Sequence, residues 1–414
     1  MKAVVIGGGI IGLSSAYYLQ KAGWQVTVLD KTDLSDSCSY GNLGMIVPSH
    51  FVPLAAPGMV AQGIRWMFNN KSPFYVKPSF NPGLVSWGMK FMRSATPRHV
   101  ENSAASLLGL NLYSKQLYQE LQEQPGFNFG LENKGILMYY KSPKVGEEEV
   151  HLADKARSMG LNVTALDKKE VQALEPDTEL DILGAVHYRS DSHLHPNKLI
   201  SQLITSIEAD GADIQRNSPV RRMIVENGKI KKLITDYTEY EADIFVIAGG
   251  AWLAELTKMA RAPVPLMPGK GYSFTYDQPQ TKLNIPAILC EARVAITPMN
   301  GSMRYGGTME IASVNNKINM NRVAGIVESV PKYFPGIRLE LPKEKDVWFG
   351  FRPCSPDGLP YLGRSSKVQN VIIAGGHAMM GLSLGPATGK VVASLANEEP
   401  PAVDINAFRP ERFS

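Results

Sequence analysis

Three spaced glycines near the start of the chain are arranged to bring a phosphate close to a backbone. Gly7, Gly9 and Gly12 form a G-x-G-x-x-G pattern, and an acidic residue, Asp30, follows further on. Gly7 permits a tight turn, Gly9 lets the backbone approach a pyrophosphate, and Gly12 permits close packing of a helix on a strand. Asp30 can accept hydrogen bonds from both hydroxyls of a ribose, while its charge would repel a 2′-phosphate. The pattern predicts a dinucleotide site, and the alternative is a glycine-rich turn with no ligand.

The elements around these glycines favour the dinucleotide interpretation. Lys2–Ile6 is a short β-branched run typical of a buried parallel strand, and Gln25–Leu29 is a second such run that ends at Asp30. A helix between them would begin at the glycines and offer free N–H groups and a positive dipole end to phosphates. Strand, glycine turn, helix and acid therefore occur in the order that dinucleotide binding requires.

A second glycine-rich segment, residues 375–395, distinguishes between two kinds of dinucleotide. Pro386 occupies a position where a helix would begin, with Gly381 and Gly385 just before it. The dipole of that helix could stabilise the negative charge that develops at N1 and the C2 carbonyl of a flavin as it accepts hydride. A nicotinamide loses its positive charge in the same step and needs no such group. The segment therefore favours a flavin, and the alternative is a packed C-terminal helix after a flexible loop.

Other residues suggest how a substrate and a flavin ring could be held. Arg352 ends a predicted strand immediately before Pro353, where a guanidinium can hold a carboxylate by two hydrogen bonds more rigidly than lysine could. The alternative is a structural salt bridge or a surface arginine. Small residues in the segment 35–49 would let the backbone approach a flat ring, unless this is a simple surface loop. His50 and His377 are candidates for lining the pocket.

The remaining pattern predicts a hairpin, further buried strands and a second sheet. The hairpin turns at Asn227-Gly228, and a helix is expected at Ser103–Gln122. The predicted strands are Arg221–Val225, Lys229–Thr235, Glu239–Glu241, Asp243–Ala248 and Asn370–Ala374, followed by those of an antiparallel sheet, Gly135–Lys141, Gly184–Arg189, Gly271–Tyr276, Ile288–Pro298, Ser302–Met309 and Asp346–Arg352.

The predicted fold class is α/β, with a substrate lobe of the α+β type. A Rossmann-like FAD/NAD(P)-binding domain would be interleaved with a largely antiparallel substrate-binding domain. Residues 1–50, 195–260 and 353–414 are assigned to the first domain, and residues 51–194 and 261–352 to the second. A pocket is expected at the seam between them.

Composition and missing motifs exclude several classes of function. The net charge of +4 over 414 residues, with scattered Lys and Arg, gives no support to nucleic-acid binding. Three isolated cysteines predict no disulfide framework and fit a reducing compartment. His193 and His195 share a face in an extended segment but have no Cys, Glu or His cluster beside them, so no metal site is expected. There is no G-x-S-x-G elbow or P-loop, which leaves no basis for a hydrolase or kinase.

The expected location is the cytoplasm, because the N-terminus lacks a signal peptide and no apolar run is long enough to span a membrane. The segment Pro53–Met92 is rich in Trp, Met and Phe mixed with Lys and Arg. It is interpreted as a lid or packing insert, or as a surface that touches the inner face of the cytoplasmic membrane or a quinone.

With these residues in view, the chain resembles the D-amino-acid oxidase superfamily of FAD enzymes over nearly its whole length. Within that superfamily it is most similar to the bacterial D-amino-acid dehydrogenases of the small-subunit type. The first motif below is shared by many flavoproteins, and the third and fifth are more specific. The motifs are GGGIIG at 7–12, SYGNLGMIVP at 39–48, APGMVAQGIRWMF at 56–68, KGYS at 270–273, GFRPCSPDGLPYLG at 350–363 and GGHAMMGLSLGPATGK at 375–390.

The resemblance implies a non-covalently bound, extended FAD with its ring at the domain seam. It implies that Arg352 holds the substrate carboxylate and that Tyr272 lies on a strand facing the flavin, where it contacts the substrate. Arg352, Tyr272 and His50 form the predicted catalytic set. The predicted FAD contacts are Gly7, Gly9, Ile10, Ile11, Gly12, Asp30, Lys31, Gly41, Asn42, Leu43, Gly44, Met45, Val220, Gly249, Gly250, Gly376, His377, Gly381, Leu382 and Ser383.

The resulting hypothesis is a dehydrogenase that removes a hydride from Cα of a D-amino acid, giving an imino acid and then a 2-oxo acid and ammonia. Hydride would pass to flavin N5, and a quinone or other electron carrier would be the acceptor. The segment HYRSDSHLHPNKL at 187–199 departs from the sequences of the dehydrogenases, so the preferred side chain of the substrate is left open. The alternatives are a dehydrogenase of D-proline or hydroxy-D-proline, an oxidase of glycine or sarcosine, and a non-enzymatic flavin-binding redox subunit.

Overall fold

A computed structural model describes residues 1–59, 63, 72–76, 81–311 and 314–413. Trp66, Met67 and Phe68, which contribute to the apolar character of the segment Pro53–Met92, lie outside the described residues, as does most of the motif at 56–68. None of the helices in the described ranges has the length and apolar character needed to cross a membrane.

The first sheet has six strands, five of them parallel. In spatial order these are Tyr361–Arg364, Val371–Gly375, Ile244–Ile247, Lys2–Ile6, Gln25–Leu29 and Asp213–Gln215, and the first of them is the antiparallel edge strand. The central strands are buried on both faces, as expected for β-branched runs in a parallel sheet. All five parallel strands end at the same edge, which is where an open α/β sheet binds its ligand.

The second sheet has nine strands and is largely antiparallel. In spatial order its strands are Trp348–Cys354, Met267–Asp277, Ser302–Ile311, Val294–Met299, Ala287–Leu289, Ile136–Tyr140, Gly184–Tyr188 and Val163–Asp167, with Phe74–Val76 paired to Ser302–Ile311. The predicted mixed α/β class with an antiparallel second sheet is confirmed. The domain boundaries assigned from the sequence remain a prediction.

The remaining strands form small sheets, and helices cover the first sheet. The predicted hairpin is present as Arg222–Glu226 and Lys229–Ile234, followed by Glu239–Tyr240, and Met45–Ile46 pairs with Ser192–His193. In chain order the helices of the described ranges are Ile10–Lys21, Pro82–Ser94, Pro97–Gln122, Pro143–Ser158, Lys168–Leu174, Pro196–Ala209, Leu253–Met259, Met320–Ser329 and Gly381–Ala396, with 3₁₀ turns at Gly250–Trp252, Val330–Lys332, Glu344–Asp346, Ala378–Met380 and Asn406–Phe408.

The first and last helices pack together through small residues. A Cβ added to Gly389 would lie 2.4 Å from Ser14 O, and one added to Gly385 would lie 2.9 Å from the Ile10 side chain. Only glycine permits so close an approach at these positions. The contact brings the N-termini of the two helices to the same side of the sheet.

Several expected boundaries were wrong. The strand expected at Asp346–Arg352 is Trp348–Cys354 and continues past Arg352, and the strand expected at Gly271–Tyr276 is Met267–Asp277. The last helix begins at Gly381 and contains Pro386 in its interior. Proline removes one helical hydrogen bond, and the Leu382 carbonyl left by that loss accepts a hydrogen bond from the Tyr118 hydroxyl at 2.6 Å. The helix expected at Ser103 begins at Pro97, where Thr96 caps it. The strand expected at 288–298 is interrupted by a turn, giving Ala287–Leu289 and Val294–Met299.

Candidate active site

A cavity of about 1200 Å³ lies between the carboxyl edge of the parallel sheet and one end of the antiparallel sheet. We call its wall near Gly7, Gly9 and Asp30 the cofactor end. The wall near Arg352 and His50 is called the substrate end. All five residues line the same cavity, although they are far apart in the chain.

The cofactor end is built from backbone. Gly7 has a positive φ of 114°, and a Cβ there would lie 2.5 Å from Ala248 O. A Cβ on Gly12 would lie 1.7 Å from Gly7 O, so the helix and the turn touch without intervening side chains. Gly9 precedes the helix in an extended conformation and offers no side-chain cap. Ile10 N donates to the Ser39 hydroxyl at 3.2 Å, and Gly9, Ile10 and Ile11 line the cavity, so the helix N-terminus faces a ligand there.

The last helix presents a second N-terminus to the cavity. Met380 precedes this helix and makes no capping hydrogen bond, and Gly381 and Leu382 line the cavity. Two helix N-termini facing one cavity give a donor set that suits phosphates and a flavin ring.

Asp30 is held rigidly on the cavity wall. One carboxylate oxygen accepts from Gly8 N at 2.7 Å, and the other accepts from the backbone N and hydroxyl of Thr32 at 2.8 and 2.7 Å. Next to it, Lys31 places its ammonium 3.1 Å from the centroid of the Trp252 ring. The acid stands where a ribose would lie beside the glycine turn.

Arg304 supports the loop between the two sheets and was missed by the sequence analysis. This buried guanidinium donates to Tyr40 O at 2.9 Å and to Asn42 O at 2.7 Å. The Ser273 hydroxyl donates to Gly41 O in the same loop at 2.8 Å. Arg304 therefore fixes the small-residue segment against the antiparallel sheet. An inward-pointing arginine within a predicted strand was the available signal.

Arg352 occupies the substrate end without a carboxylate partner. Its Nη1 donates to Thr308 O at 2.6 Å, and no ion pair to it occurs among the residues that the structure describes. The guanidinium lies over Gly271, where a Cβ would be 2.1 Å from Nη1. Burial lowers the pKa of Arg352 below its ordinary value, yet arginine stays protonated in proteins. A partly buried cation on a cavity wall that lacks an ion-pair partner among the described residues can bind an anion.

Tyr272 and Arg352 lie on opposite faces of the antiparallel sheet, and the expected contact of Tyr272 with substrate stays a prediction. Gly269 and Gly271 face Arg352, and the alternation of the strand turns Tyr272 to the opposite face. There its ring packs in a core with Phe274, and its hydroxyl accepts from Asn319 N at 3.2 Å. Tyr272 also lines the cavity.

His50 lines the cavity and is connected to buried polar groups. Its Nδ1 lies 3.0 Å from the Ser49 hydroxyl, which donates to Asp191 at 2.5 Å. Burial lowers the pKa of His50 to about 4, and the nearby Arg293 acts in the same direction. The imidazole is therefore neutral at physiological pH. The link to Asp191 could not be read from the sequence, because the two residues are far apart in it.

His377 is buried at the end of a parallel strand and also lines the cavity. Its Nε2 lies 3.0 Å from the Thr388 hydroxyl, and burial lowers the pKa of the imidazole to about 3. The ring ties the glycine turn after Val371–Gly375 to the last helix.

Most of the predicted FAD contacts line the cavity, including Val220, Gly249 and Gly250. The residues that do not are Gly12, Gly44, Gly376 and Ser383. They act through packing or buried hydrogen bonds. For example, Ser383 accepts from Val47 N at 2.9 Å and donates to Asn111. In the described ranges no group of three or more His, Cys, Asp or Glu is placed to hold a metal ion.

The fold and the two ends of the cavity define a flavin-dependent oxidoreductase. The chain belongs to the DAO family of FAD-dependent oxidoreductases, because the model of that family matches residues 2–395.

The chain is similar to curated and solved proteins over nearly its whole length. It is 28% identical to a D-amino acid dehydrogenase of Helicobacter pylori strain J99 over 398 residues, covering 96% of this chain and 95% of that one. It is 27% identical to D-amino acid dehydrogenase 1 of Mesorhizobium japonicum over the full length of both. Solved structures with the same fold include a glycine oxidase from Geobacillus kaustophilus, with a TM-score of 0.78, 22% identity, and coverage of 99% of this chain and 98% of that one. An L-proline dehydrogenase from P. horikoshii has a TM-score of 0.76 and 20% identity, covering 100% and 97%.

Proposed function

We propose that this protein is a dehydrogenase that oxidises D-amino acids at Cα, using FAD bound without a covalent link. The observation that carries the proposal is the unpaired guanidinium of Arg352 on the wall of a cavity whose other end is built for a dinucleotide. The names of the curated relatives support the D-amino-acid class.

The residues of the substrate end would orient the substrate for oxidation. Thr308 O restrains one nitrogen of Arg352, so the remaining N–H groups are presented in a fixed plane to a carboxylate. Holding the carboxylate there fixes the direction of the Cα–H bond. FAD, when bound, supplies the hydride acceptor. The amine must be neutral when hydride leaves, and the product is an imino acid that water converts to a 2-oxo acid and ammonia.

Cys38 lines the cavity and is the one described cysteine that could be considered for a covalent link. Packing around the sulfur raises the pKa of its thiol although the residue as a whole is exposed, and Phe351 N donates to the sulfur at 3.4 Å. A protonated thiol is a poor nucleophile, which supports non-covalent binding. Acid precipitation is expected to release all of the yellow colour into the supernatant; colour retained in the pellet would contradict non-covalent binding.

Anaerobic reduction of the purified yellow protein by a panel of amino acids tests the proposed function. D-alanine or D-proline is expected to bleach the flavin absorbance, and the matching L-enantiomers are not. Bleaching by L-enantiomers alone would contradict the D-amino-acid assignment. Release of peroxide in air at the rate of substrate oxidation would identify an oxidase instead of a dehydrogenase.

We also propose that the electron acceptor is a quinone or similar carrier, met at a membrane surface. The helix Pro82–Ser94 exposes Val85, Met89 and Met92 along one stripe, with exposed fractions of 55%, 46% and 55%. It contains Lys90 and Arg93 and no acidic residue. An apolar stripe flanked by cations suits an anionic lipid surface. Within the same segment Trp87 is buried and donates to Cys354 O at 2.9 Å, as a packing residue does.

Sedimentation with vesicles tests this contact. Wild-type protein is expected to bind vesicles containing anionic lipid, and the double variant Val85→Asp, Met89→Asp is not, while its bleaching by D-amino acids persists. Leu112→Asp, on another helix and 42% exposed, is the matched control that should still bind. Equal binding by all three proteins would contradict the role of this helix.

A further inference from the structure

A continuous chain of hydrogen bonds runs from the cavity wall into the protein interior. His50 lines the cavity, and its Nδ1 is 3.0 Å from the hydroxyl of Ser49. That hydroxyl lies 2.5 Å from Oδ2 of Asp191, and Ser49 N donates to Oδ1 of the same carboxylate at 3.0 Å. Asp191 is fully buried, and Ser49 is 7% exposed. The chain therefore connects the cavity to a carboxylate that has no access to solvent.

The geometry fixes the direction of the hydrogen bonds. The Ser49 hydroxyl has one proton, and the short contact to Asp191 shows that it is donated to the carboxylate. Ser49 must then accept from His50, so the imidazole proton is on Nδ1. Nε2 of His50 carries a lone pair and has no hydrogen-bond partner among the residues that the structure describes. A neutral imidazole nitrogen is thus offered to a ligand in the cavity.

The charges around this chain set its proton affinity. Burial raises the pKa of Asp191 to about 7 despite its hydrogen bonds from Ser49 and the cation of Lys115 nearby. Lys115 is itself engaged, because its ammonium donates to Ser190 O at 2.6 Å. Tyr188 lies close to both Asp191 and Glu149, and burial raises the pKa of its phenol, so it remains neutral. At the other end, Arg293 opposes a positive charge on His50.

One strand joins the surroundings of His50 to those of Arg352. In Ser302–Ile311, Thr308 O accepts from Arg352, and a Cβ on the adjacent Gly307 would lie 2.9 Å from Arg293 O. Arg293 is the charge that acts on His50. The relay requires an amino acid whose carboxylate is held by Arg352 to extend its amino group towards His50, which lines the same cavity.

We propose that His50, Ser49 and Asp191 form a relay that removes a proton from the ammonium group of the bound amino acid. The proposal rests on the proposed function, because it assumes an amino-acid substrate. The ammonium N–H bond breaks as Nε2 of His50 gains a proton. The Nδ1 proton passes to Ser49 Oγ, and the Ser49 hydroxyl proton passes to Asp191. The amine is left neutral and Asp191 becomes a carboxylic acid, with no electrons transferred.

The relay explains a feature of Asp191 that a purely structural role leaves unexplained. A buried carboxylate whose pKa is raised is a costly device for holding a turn, since an amide could accept the same bond from Ser49 N. His50 alone is too weak a base to keep a proton from an ammonium group. Passing the proton on to Asp191 moves it to a group of higher proton affinity than His50, and loss of the hydride then consumes the neutral amine. The proton returns along the same path once the product has left.

Ser49→Ala breaks the chain with the smallest change of volume. The relay predicts that kcat/KM for flavin reduction at pH 7 falls about 100-fold, the lower end of what proton-transfer groups contribute. It also predicts that the acidic limb of the pH profile, where kcat/KM rises with pH, moves upward towards the pKa of the free substrate amine. Ser49→Thr keeps the hydroxyl and is expected to restore both the rate and the position of the limb. Ser103→Ala is the matched control, because it also loses a buried hydroxyl but one bonded within its own helix.

A second measurement follows the proton without turnover. 2-Aminoisobutyrate has no Cα–H bond, so it can bind but cannot be oxidised. Its binding to flavin-loaded wild-type protein is expected to produce the infrared carbonyl band of a protonated carboxylic acid. Asp191→Asn and Ser49→Ala should both lack that band while still binding the ligand.

The outcomes separate the relay from the proposed function. An unchanged pH limb in Ser49→Ala, or an infrared band that survives in Asp191→Asn, would overturn the relay alone. If no amino acid bleaches the wild-type flavin and 2-aminoisobutyrate does not bind, the proposed function fails and the relay fails with it. A shifted limb that Ser49→Thr restores, together with the band, supports the relay.

Discussion

The two ends of the cavity are built from different materials. At the cofactor end the ligand surface is backbone, and glycines at Gly7 and Gly12 keep side chains out of it. At the substrate end the surface is made by side chains, chiefly Arg352 and His50, which reach the cavity from separate parts of the chain. Adding an atom should therefore damage the cofactor end, and removing a side chain should damage the substrate end.

Adding a methyl group at the cofactor end should have the largest effect. A Cβ on Gly12 would lie 1.7 Å from Gly7 O, so Gly12→Ala must push the helix from the turn that binds the pyrophosphate. The variant is expected to purify without flavin, a loss of more than about 3 kcal/mol in FAD binding. Flavin absorbance per protein measures it. Gly109→Ala, in a helix with no atom within 4 Å of the new Cβ, is the control and should retain full flavin content.

Removing the side chain at the substrate end should spare the flavin and impair the substrate. Arg352→Ala is expected to stay yellow while the half-saturating concentration of D-amino acid in anaerobic bleaching rises about 100-fold. That rise corresponds to about 3 kcal/mol, within the range for truncating one partner of a buried charge pair. Loss of flavin from this variant, or an unchanged half-saturating concentration of D-amino acid, would contradict the assignment of Arg352 to the substrate end alone.

Arg304→Ala tests whether a side chain outside the cavity wall also affects the cofactor end. Arg304 supports that end through the loop that it holds. Losing its bonds to Tyr40 O and Asn42 O should loosen the loop that follows the second strand. We expect FAD affinity to weaken by about 2 kcal/mol, typical of a hydrogen bond to a charged group. Titration of the apoprotein with FAD measures it, and substrate half-saturation at saturating FAD should stay within twofold. An FAD affinity equal to that of wild type would show that Arg304 does not support the cofactor end.

The smallest effect is the pH dependence that His377 contributes. Burial lowers the pKa of His377 to about 3 in the folded protein, below the ordinary value of about 6.5 in the unfolded chain. The unfolded state therefore binds more protons below pH 6.5, and stability present above that pH is lost as the pH falls. At pH 5.5 this group should account for about 1.4 kcal/mol of lost stability. Urea unfolding should show a flatter pH dependence in His377→Gln, and identical slopes would count against the assignment.

The cofactor end could be predicted from the sequence because its signals are local. Gly7, Gly9 and Asp30 lie on consecutive elements, and the spacing alone fixes their relation. Arg352 was found as a strand-end arginine, but the register that places it over Gly271 depends on pairing between distant strands. The same register turns Tyr272 away, which a motif cannot reveal.

Other features depend on contacts between distant segments of the chain. Asp191 meets Ser49 because Met45–Ile46 pairs with Ser192–His193, two short strands with little pattern of their own. Pro386 inside a helix depends on a hydroxyl supplied by Tyr118. Local propensity predicted that the helix begins at Pro386. It could not show that a hydroxyl on another helix would satisfy the carbonyl freed by the proline.

The most direct test of the central claim, that Arg352 holds the carboxylate of the substrate, is a double-mutant cycle in anaerobic flavin bleaching. Wild-type protein and Arg352→Ala are each measured with D-alanine and with D-alaninamide, which lacks the carboxylate. If Arg352 holds the carboxylate, kcat/KM for D-alanine falls about 100-fold in the variant. For D-alaninamide, kcat/KM is then low and nearly equal in both proteins. An equal fall with both substrates would contradict the claim, because Arg352 would then act on something other than the carboxylate.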